Sequence, residues 1–115
     1  MADSRAMQYT QAVQTYVARH LSEKTTVAEI AATLHLHPSY LNTVFRNETG
    51  ISVKTYVHTV KTHEACRLLR ETKHSLTEIG TMLGYFDQSH FNRVFKRCTG
   101  LTPGAYRMRY AGRDR

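Results

Sequence analysis

No stretch of the 115 residues is apolar for long enough to span a membrane. The first residues, MADSRAMQYTQAV, have neither the charged start nor the apolar core of a secretory signal. Cysteine is scarce: Cys66 and Cys98 stand far apart, without partners at metal-ligand spacing. That argues against a disulfide scaffold or a structural zinc module, and no metal or cofactor is expected. A reducing cytosol is the expected compartment. No segment shows the alternation of a strand. Acidic residues are few, 9 against 16 lysines and arginines, for a formal net charge of +7. Such a balance favours an anionic partner, nucleic acid ahead of an anionic membrane surface. A hydrophobic share of 41% is enough for a core and excludes wholesale disorder.

What is present is a repeat. HPSYLNTVFRNETG (37–50) returns as DQSHFNRVFKRCTG (87–100), with Ser39/Ser89, Asn42/Asn92, Val44/Val94, Phe45/Phe95, Thr49/Thr99 and Gly50/Gly100 in common. The likeness extends outward. TVAEIAATLHL (26–36) aligns with SLTEIGTMLGYF (75–86), the second copy having one extra residue in its turn, and ISVKTYV (51–57) aligns with LTPGAYR (101–107).

Each copy carries helix punctuation at the same places. Thr26-x-x-Glu29 and Ser75-x-x-Glu78 are spaced as capping boxes opening a short helix. Asp87 suits the N-cap of the quoted helix, with Phe86 and Phe91 spaced as a hydrophobic staple. Leu36 and Leu41 match them in the first copy, where Pro38 suits the first helical position and His37 is the poorer cap. Gly50 and Gly100 can take the left-handed conformation that ends a helix, each followed by an apolar residue. Two short helices joined by a tight turn make a helix-turn-helix. Between the copies, 52–72 reads as a longer helix with Val57, Val60, Glu64/Ala65 and Leu68 inward, about 30 Å of rigid connection. Val13, Tyr16, Val17, His20 and Leu21 mark a preceding helix. Thr102-Pro103 opens a last short one through Tyr106, with a basic tail expected to fray. The expected fold is all-α: a first helix-turn-helix subdomain with its N-terminal helix (1–54), a connecting helix (55–73), and a second helix-turn-helix subdomain with the tail (74–115).

A period of 3.6 residues divides the repeated helices, about 38–47 and 88–98, into two faces. Leu41, Val44 and Phe45, like Phe91, Val94 and Phe95, form the inward stripe. Ser39, Asn42, Thr43 and Arg46, like Ser89, Asn92, Arg93 and Lys96, form the outward one. Such side chains suit the edges of base pairs: arginine can bind guanine bidentately, asparagine adenine, and serine or threonine several groups. Farther along the helices, Arg46, Lys96 and Arg97 suit phosphates, which fix register without reading sequence. One polar stripe is most often a solvated face; two with matching punctuation in a basic chain point to DNA.

EIGTMLGYFDQSHFNRVFKRCTGLTPGAYR resembles the signature of the AraC/XylS family of bacterial transcription regulators. The likeness runs from TVAEIAATLHLHPSYLNTVFR through YVHTVKTHEACRLL to the final tyrosine. It implies two helix-turn-helix units held by a central helix, with recognition helices in adjacent major-groove segments of double-stranded DNA. Carried over by position, base reading falls on Ser39, Asn42, Thr43, Gln88, Ser89, Asn92 and Arg93. The resemblance also allows a contact with RNA polymerase, and a companion sensor or dimerisation domain outside this chain. Whether the chain stands alone or is a piece of a longer regulator stays open. The chain departs from the family pattern at His37 (often serine), Gly80 (usually alanine), His90 (tyrosine favoured) and Lys61-Thr62 (arginine then an apolar residue favoured).

Charge is uneven between the copies. Residues 26–57 hold Arg46 and Lys54 against Glu29 and Glu48, whereas 75–107 hold Arg93, Lys96, Arg97 and Arg107 against Glu78 and Asp87. More electrostatic affinity is therefore expected from the second. Two other classes compete. An enzyme would need a site, yet neither His35-x-His37 nor His58/His63 has the i, i+4 spacing of helical metal ligands, and no cysteine or carboxylate completes one. The alternative of a helical protein-interaction module is separated from DNA binding by salt dependence.

Overall fold

The computed structural model describes residues 4–112, and all regular structure among them is helical. The helices are α1 (Ser4–Arg19), α2 (Val27–Thr33), α3 (Pro38–Thr49), α4 (Val53–Glu71), α5 (Leu76–Met82), α6 (Gln88–Thr99) and α7 (Pro103–Tyr110). They gather into two compact units. Among the described residues, one takes 4–20 together with 25–57; the other takes 21–24 and 58–112. The division falls inside α4, so that helix contributes to both.

In the first unit Val13 and Val17 of α1, Ile30 and Ala31 of α2, Leu41 and Phe45 of α3, and Val53 and Val57 of α4 are buried. The Phe45 ring meets Tyr56 edge-on at 5.3 Å between centroids. The second core joins Ala65, Leu68 and Leu69 of α4, Ile79 and Leu83 around α5, Tyr85 of the turn, and Phe91, Val94 and Phe95 of α6. Tyr106 of α7 closes it, edge-on to Phe95 at 5.5 Å.

α4 covers most of the segment read as the connecting helix, but its inward side also includes two polar residues. Lys61 and Thr62 are buried, whereas Val60 and Glu64 are half-buried. The Lys61 ammonium donates to the carbonyls of Glu23 and Leu83 and lies 5.4 Å from the centre of the Tyr85 ring. Leu83 is the C-cap of α5, where unpaired carbonyls concentrate negative charge. A buried cation is thus met by two carbonyls and an aromatic face. Burial lowers the Lys61 pKa, partly offset by the Glu23 charge. Burial also raises the phenol of Tyr85, whose hydroxyl lies 2.9 Å from His58 Nδ1.

Local punctuation mostly follows the sequence. Ser75 and Glu78 form a complete capping box. At Thr26 only half of it exists: the hydroxyl accepts the Glu29 N–H, and the Glu29 carboxylate turns to that hydroxyl instead of the backbone. Phe86 does not staple α6, being 89% exposed. Tyr85 takes that role, buried against Phe91 at 5.3 Å. The two turns explain the exchange. Leu36 and Tyr85 each donate their N–H to the matching carbonyl, Ala31 or Gly80, at 2.9 Å, so Phe86 is the extra residue and bulges outward. Gly80 itself is packed closely: a Cβ there would come 3.2 Å from Gln88 Oε1 and 3.3 Å from the Phe91 ring. Val44 is half-buried where Val94 is buried. The last helix runs past Tyr106 to Tyr110, against the expectation of a frayed tail; residues 113–115 lie outside the described residues.

Both turns need a left-handed residue. The second uses Gly84 at φ 82°, where a Cβ would also fall 2.5 Å from the carbonyl carbon of Glu23. The first uses His35 at φ 58°, a conformation unfavourable for any residue with a Cβ. Gly84→Ala should therefore lose more than about 2 kcal/mol of stability, and His35→Gly should gain up to about 1 kcal/mol. Urea unfolding midpoints check both; equal effects of the two substitutions would contradict this account. Alkaline stability gives a second check. The folded chain holds the Tyr85 proton above the unfolded value of about 10, so this contribution is complete below that pH and is lost as pH rises beyond it. The lowered Lys61 pKa acts oppositely, since the unfolded chain binds that proton more tightly and stability rises with pH up to about 10. Tyr85→Phe should flatten the fall above about pH 10 without abolishing it, because burial also raises Tyr56 and Tyr106.

Candidate nucleic-acid interface

α3 and α6 are built to one plan. Each has twelve residues. His37 opens α3 through Nδ1, which accepts the Ser39 N–H at 3.1 Å and must therefore carry no proton itself. Asp87 opens α6 by accepting the Ser89 N–H at 2.8 Å. Both helices end on a glycine at φ 86°, ψ −7°, whose N–H returns to Arg46 or Lys96 at 2.7 Å. The threonine before each glycine braces the corner. Thr49 donates to Phe45 O and accepts the Ile51 N–H, and Thr99 does the same with Phe95 and Leu101.

Burial of the apolar stripe turns the polar one outward. Ser39 and Thr43 of α3 and Ser89 and Arg93 of α6 are exposed. So are Arg46, Lys96 and Arg97. Among the described residues no carboxylate lies within ion-pair distance of these four cations. Asn42, Gln88 and Asn92 are half-buried and engaged. The Asn42 side-chain oxygen accepts the N–H of Val53 at 2.9 Å. Gln88 Nε2 donates to Asn92 Oδ1 at 3.1 Å, an i, i+4 pair along α6.

Arg107 is half-buried and partly committed within the fold. Its guanidinium donates to Leu69 O and Thr72 O at the C-terminal end of α4. The cations left facing solvent on α3 and α6 are Arg46 in the first unit and Arg93, Lys96 and Arg97 in the second. Two exposed aromatics border the stripes and are absent from the sequence-derived set. Tyr40, 48% exposed, sits beside Ser39 and meets Tyr9 edge-on at 6.4 Å. Phe86 directly precedes the Asp87 cap. The tyrosine could be found by counting around the helix wheel, but the outward phenylalanine depends on the extra turn residue. Among the described residues no group of three or more His, Cys, Asp or Glu could hold a metal ion, and no helix is long and apolar enough to cross a membrane.

The arrangement matches known proteins in sequence and in shape. A helix-turn-helix domain family matches residues 30–109. The uncharacterized HTH-type transcriptional regulator YobQ of Bacillus subtilis is 36% identical over 92 residues, 80% of this chain and 38% of that protein. The arabinose operon regulatory protein of Escherichia coli is 36% identical over 93 residues, 80% of this chain and 32% of that protein. The chain thus spans well under half the length of these curated relatives. Among solved structures, the C-terminal domain of AraT, a response regulator from Geobacillus stearothermophilus, superposes with TM-score 0.87 at 27% identity, covering 92% of this chain and 88% of that one. The DNA-binding domain of AdpA, a global transcriptional factor solved in complex with a target DNA, gives TM-score 0.83 at 27% identity, covering 91% and 95%. With two matching capped helices, an outward polar stripe on each and this likeness over most of its length, the chain belongs to the AraC/XylS family of helix-turn-helix transcription regulators.

Proposed function

We propose that this chain binds double-stranded DNA sequence-specifically and regulates transcription, with α3 and α6 as its recognition helices. The observation that carries this reading is the pair of outward stripes, polar at the helix starts and bearing cations with no carboxylate partner among the described residues. The N-terminal part of a recognition helix meets base edges. Ser39 and Thr43 on α3, and Gln88, Ser89, Asn92 and Arg93 on α6, are the proposed readers. Asn42 shares the stripe with its oxygen already engaged by Val53. Arg46, Lys96 and Arg97, farther along, are proposed phosphate contacts. The AdpA domain, alike in shape, was solved with its target DNA, which supports the same use here. Action in the cytoplasm, a contact with RNA polymerase and a companion sensor or dimerisation domain outside this chain belong to the same proposal.

Affinity is unequally distributed in this reading. With Arg107 committed to α4, α6 still offers three exposed cations to the one on α3. The second unit supplies the larger electrostatic share.

Selection of bound sequences from random duplex DNA, followed by salt titration, tests the function. The affinity should fall steeply with salt, by a log–log slope of roughly −0.9 per phosphate contacted. Binding that ignores salt, or selection that yields no sequence, would place the chain among protein-interaction modules. Arg93→Ala should cost about 1–3 kcal/mol, concentrated at one base pair, whereas Lys96→Ala should weaken all sites alike and lower the slope by about 1. A uniform loss for Arg93→Ala would make it a phosphate contact.

A further inference from the structure

We infer that the two repeated asparagines have separate jobs, and that Pro103 is what separates them: Asn42 positions α3 against the start of α4, while Asn92 is free to determine base specificity. The inference rests on the DNA-reading function proposed above and assigns roles within that surface.

The corners that follow α3 and α6 are the same object. The terminal glycines share φ 86° and ψ −7°, and the bracing threonines make the same three bonds. Val53 and Pro103 occupy the same place after those corners, as first residues of α4 and α7. The first N–H groups of a helix have no partner within it. At Val53 that N–H is given to Asn42 Oδ1 at 2.9 Å, eleven residues back. At Pro103 there is no N–H to give.

The consequence lies in the amide chemistry. To recognise adenine, asparagine must accept from N6 with its oxygen while donating to N7 with its nitrogen. Asn42 has one lone pair of its oxygen held by the backbone of the next helix, so the amide cannot turn to a base edge without straining a bond that fixes α3, and only its second lone pair and its nitrogen remain for a base. Asn92 has no such bond. Its oxygen accepts only from the side chain of Gln88, at 3.1 Å. Glycine at position 80 leaves room for that side chain, since a Cβ there would stand 3.2 Å from Gln88 Oε1. A side-chain partner one turn away can rotate aside and bond a base itself, whereas the Val53 amide cannot.

Four variants of the full chain test this: Asn42→Ala, Asn42→Asp, Asn92→Ala and Pro103→Ala. Each is measured for melting temperature and for binding to the selected duplex and its single-base-pair variants. Asn42→Ala should lower the melting temperature by about 5 °C and weaken every duplex by the same factor. Asn42→Asp keeps the acceptor and should restore the melting temperature. Asn92→Ala should leave melting nearly unchanged and reduce discrimination at one base pair by roughly 5- to 100-fold. Pro103→Ala restores an N–H where Val53 has one, so it should reduce discrimination at that same base pair with Asn92 intact. The assignment is overturned if Asn42→Ala flattens one base preference at unchanged melting temperature, or if Asp fails to restore it. It is equally overturned if Asn92→Ala alters no preference, or if Pro103→Ala keeps the full wild-type pattern. Should the wild-type chain select no DNA at all, the function itself fails, while the melting temperatures of the Asn42 pair still judge the positioning role.

Discussion

Burial of Leu41 and Phe45 on α3, and of Phe91, Val94 and Phe95 on α6, decides where every other side chain of those helices points. At 3.6 residues per turn, fixing those positions inward leaves 39, 43 and 46, or 89, 93 and 96, on the opposite side. The polar stripe follows from the apolar one, and each unit supplies the support that makes the apolar one binding. In the second unit Tyr85, Phe91, Phe95 and Tyr106 form a chain of neighbouring rings with centroids 5.3–5.9 Å apart. A helix held this way cannot roll to present a different stripe without exposing two phenylalanines, each worth roughly 1.5–3 kcal/mol of burial.

Helix identity, order and ends were legible because their causes are local. A serine three residues before a glutamate, an aspartate before a polar turn, and a glycine after the last apolar residue each act within one helical turn. The failures have a common cause as well: they depend on residues brought close by folding. Phe86 looks like the staple beside Asp87, but the left-handed turn at Gly84 delivers Tyr85 to the core. Lys61 is polar, so a hydrophobic period reads it as outward; its partners are carbonyls 22 and 38 residues away. Arg107 reads as a free cation until the end of α4 lies beside it. Of the outward stripe, the exposed placement of Ser39, Thr43, Ser89, Arg93 and the three proposed phosphate contacts was legible, whereas the engagement of Asn42 by Val53 was not.

Formal charge overstates what a ligand can meet. Lys61 is met by the carbonyls of Leu83 and Glu23, Arg107 donates to those of Leu69 and Thr72, and Arg67 is shared between Glu64 and Glu71. These charges secure the scaffold. Arg46, Arg93, Lys96 and Arg97 differ in kind: no carboxylate among the described residues holds them, and they sit on the helices whose polar stripes face solvent.

The copies have diverged in a direction that physical reasoning can follow. The first tolerates a strained His35, a histidine cap and a half-formed capping box. It also uses its asparagine to hold the next helix in place. The second has glycine where the turn is left-handed, aspartate at the cap, a complete box, and a proline that is pre-organised for the first helical position. Each of those features is worth on the order of 1 kcal/mol. A unit whose backbone is already secured needs no asparagine as a brace, and the proline removes the donor that would capture it. Discrimination between bases relies on side chains held by a rigid support yet not consumed by it. Under the proposed function the second copy meets both conditions at Asn92, and the first meets only one at Asn42.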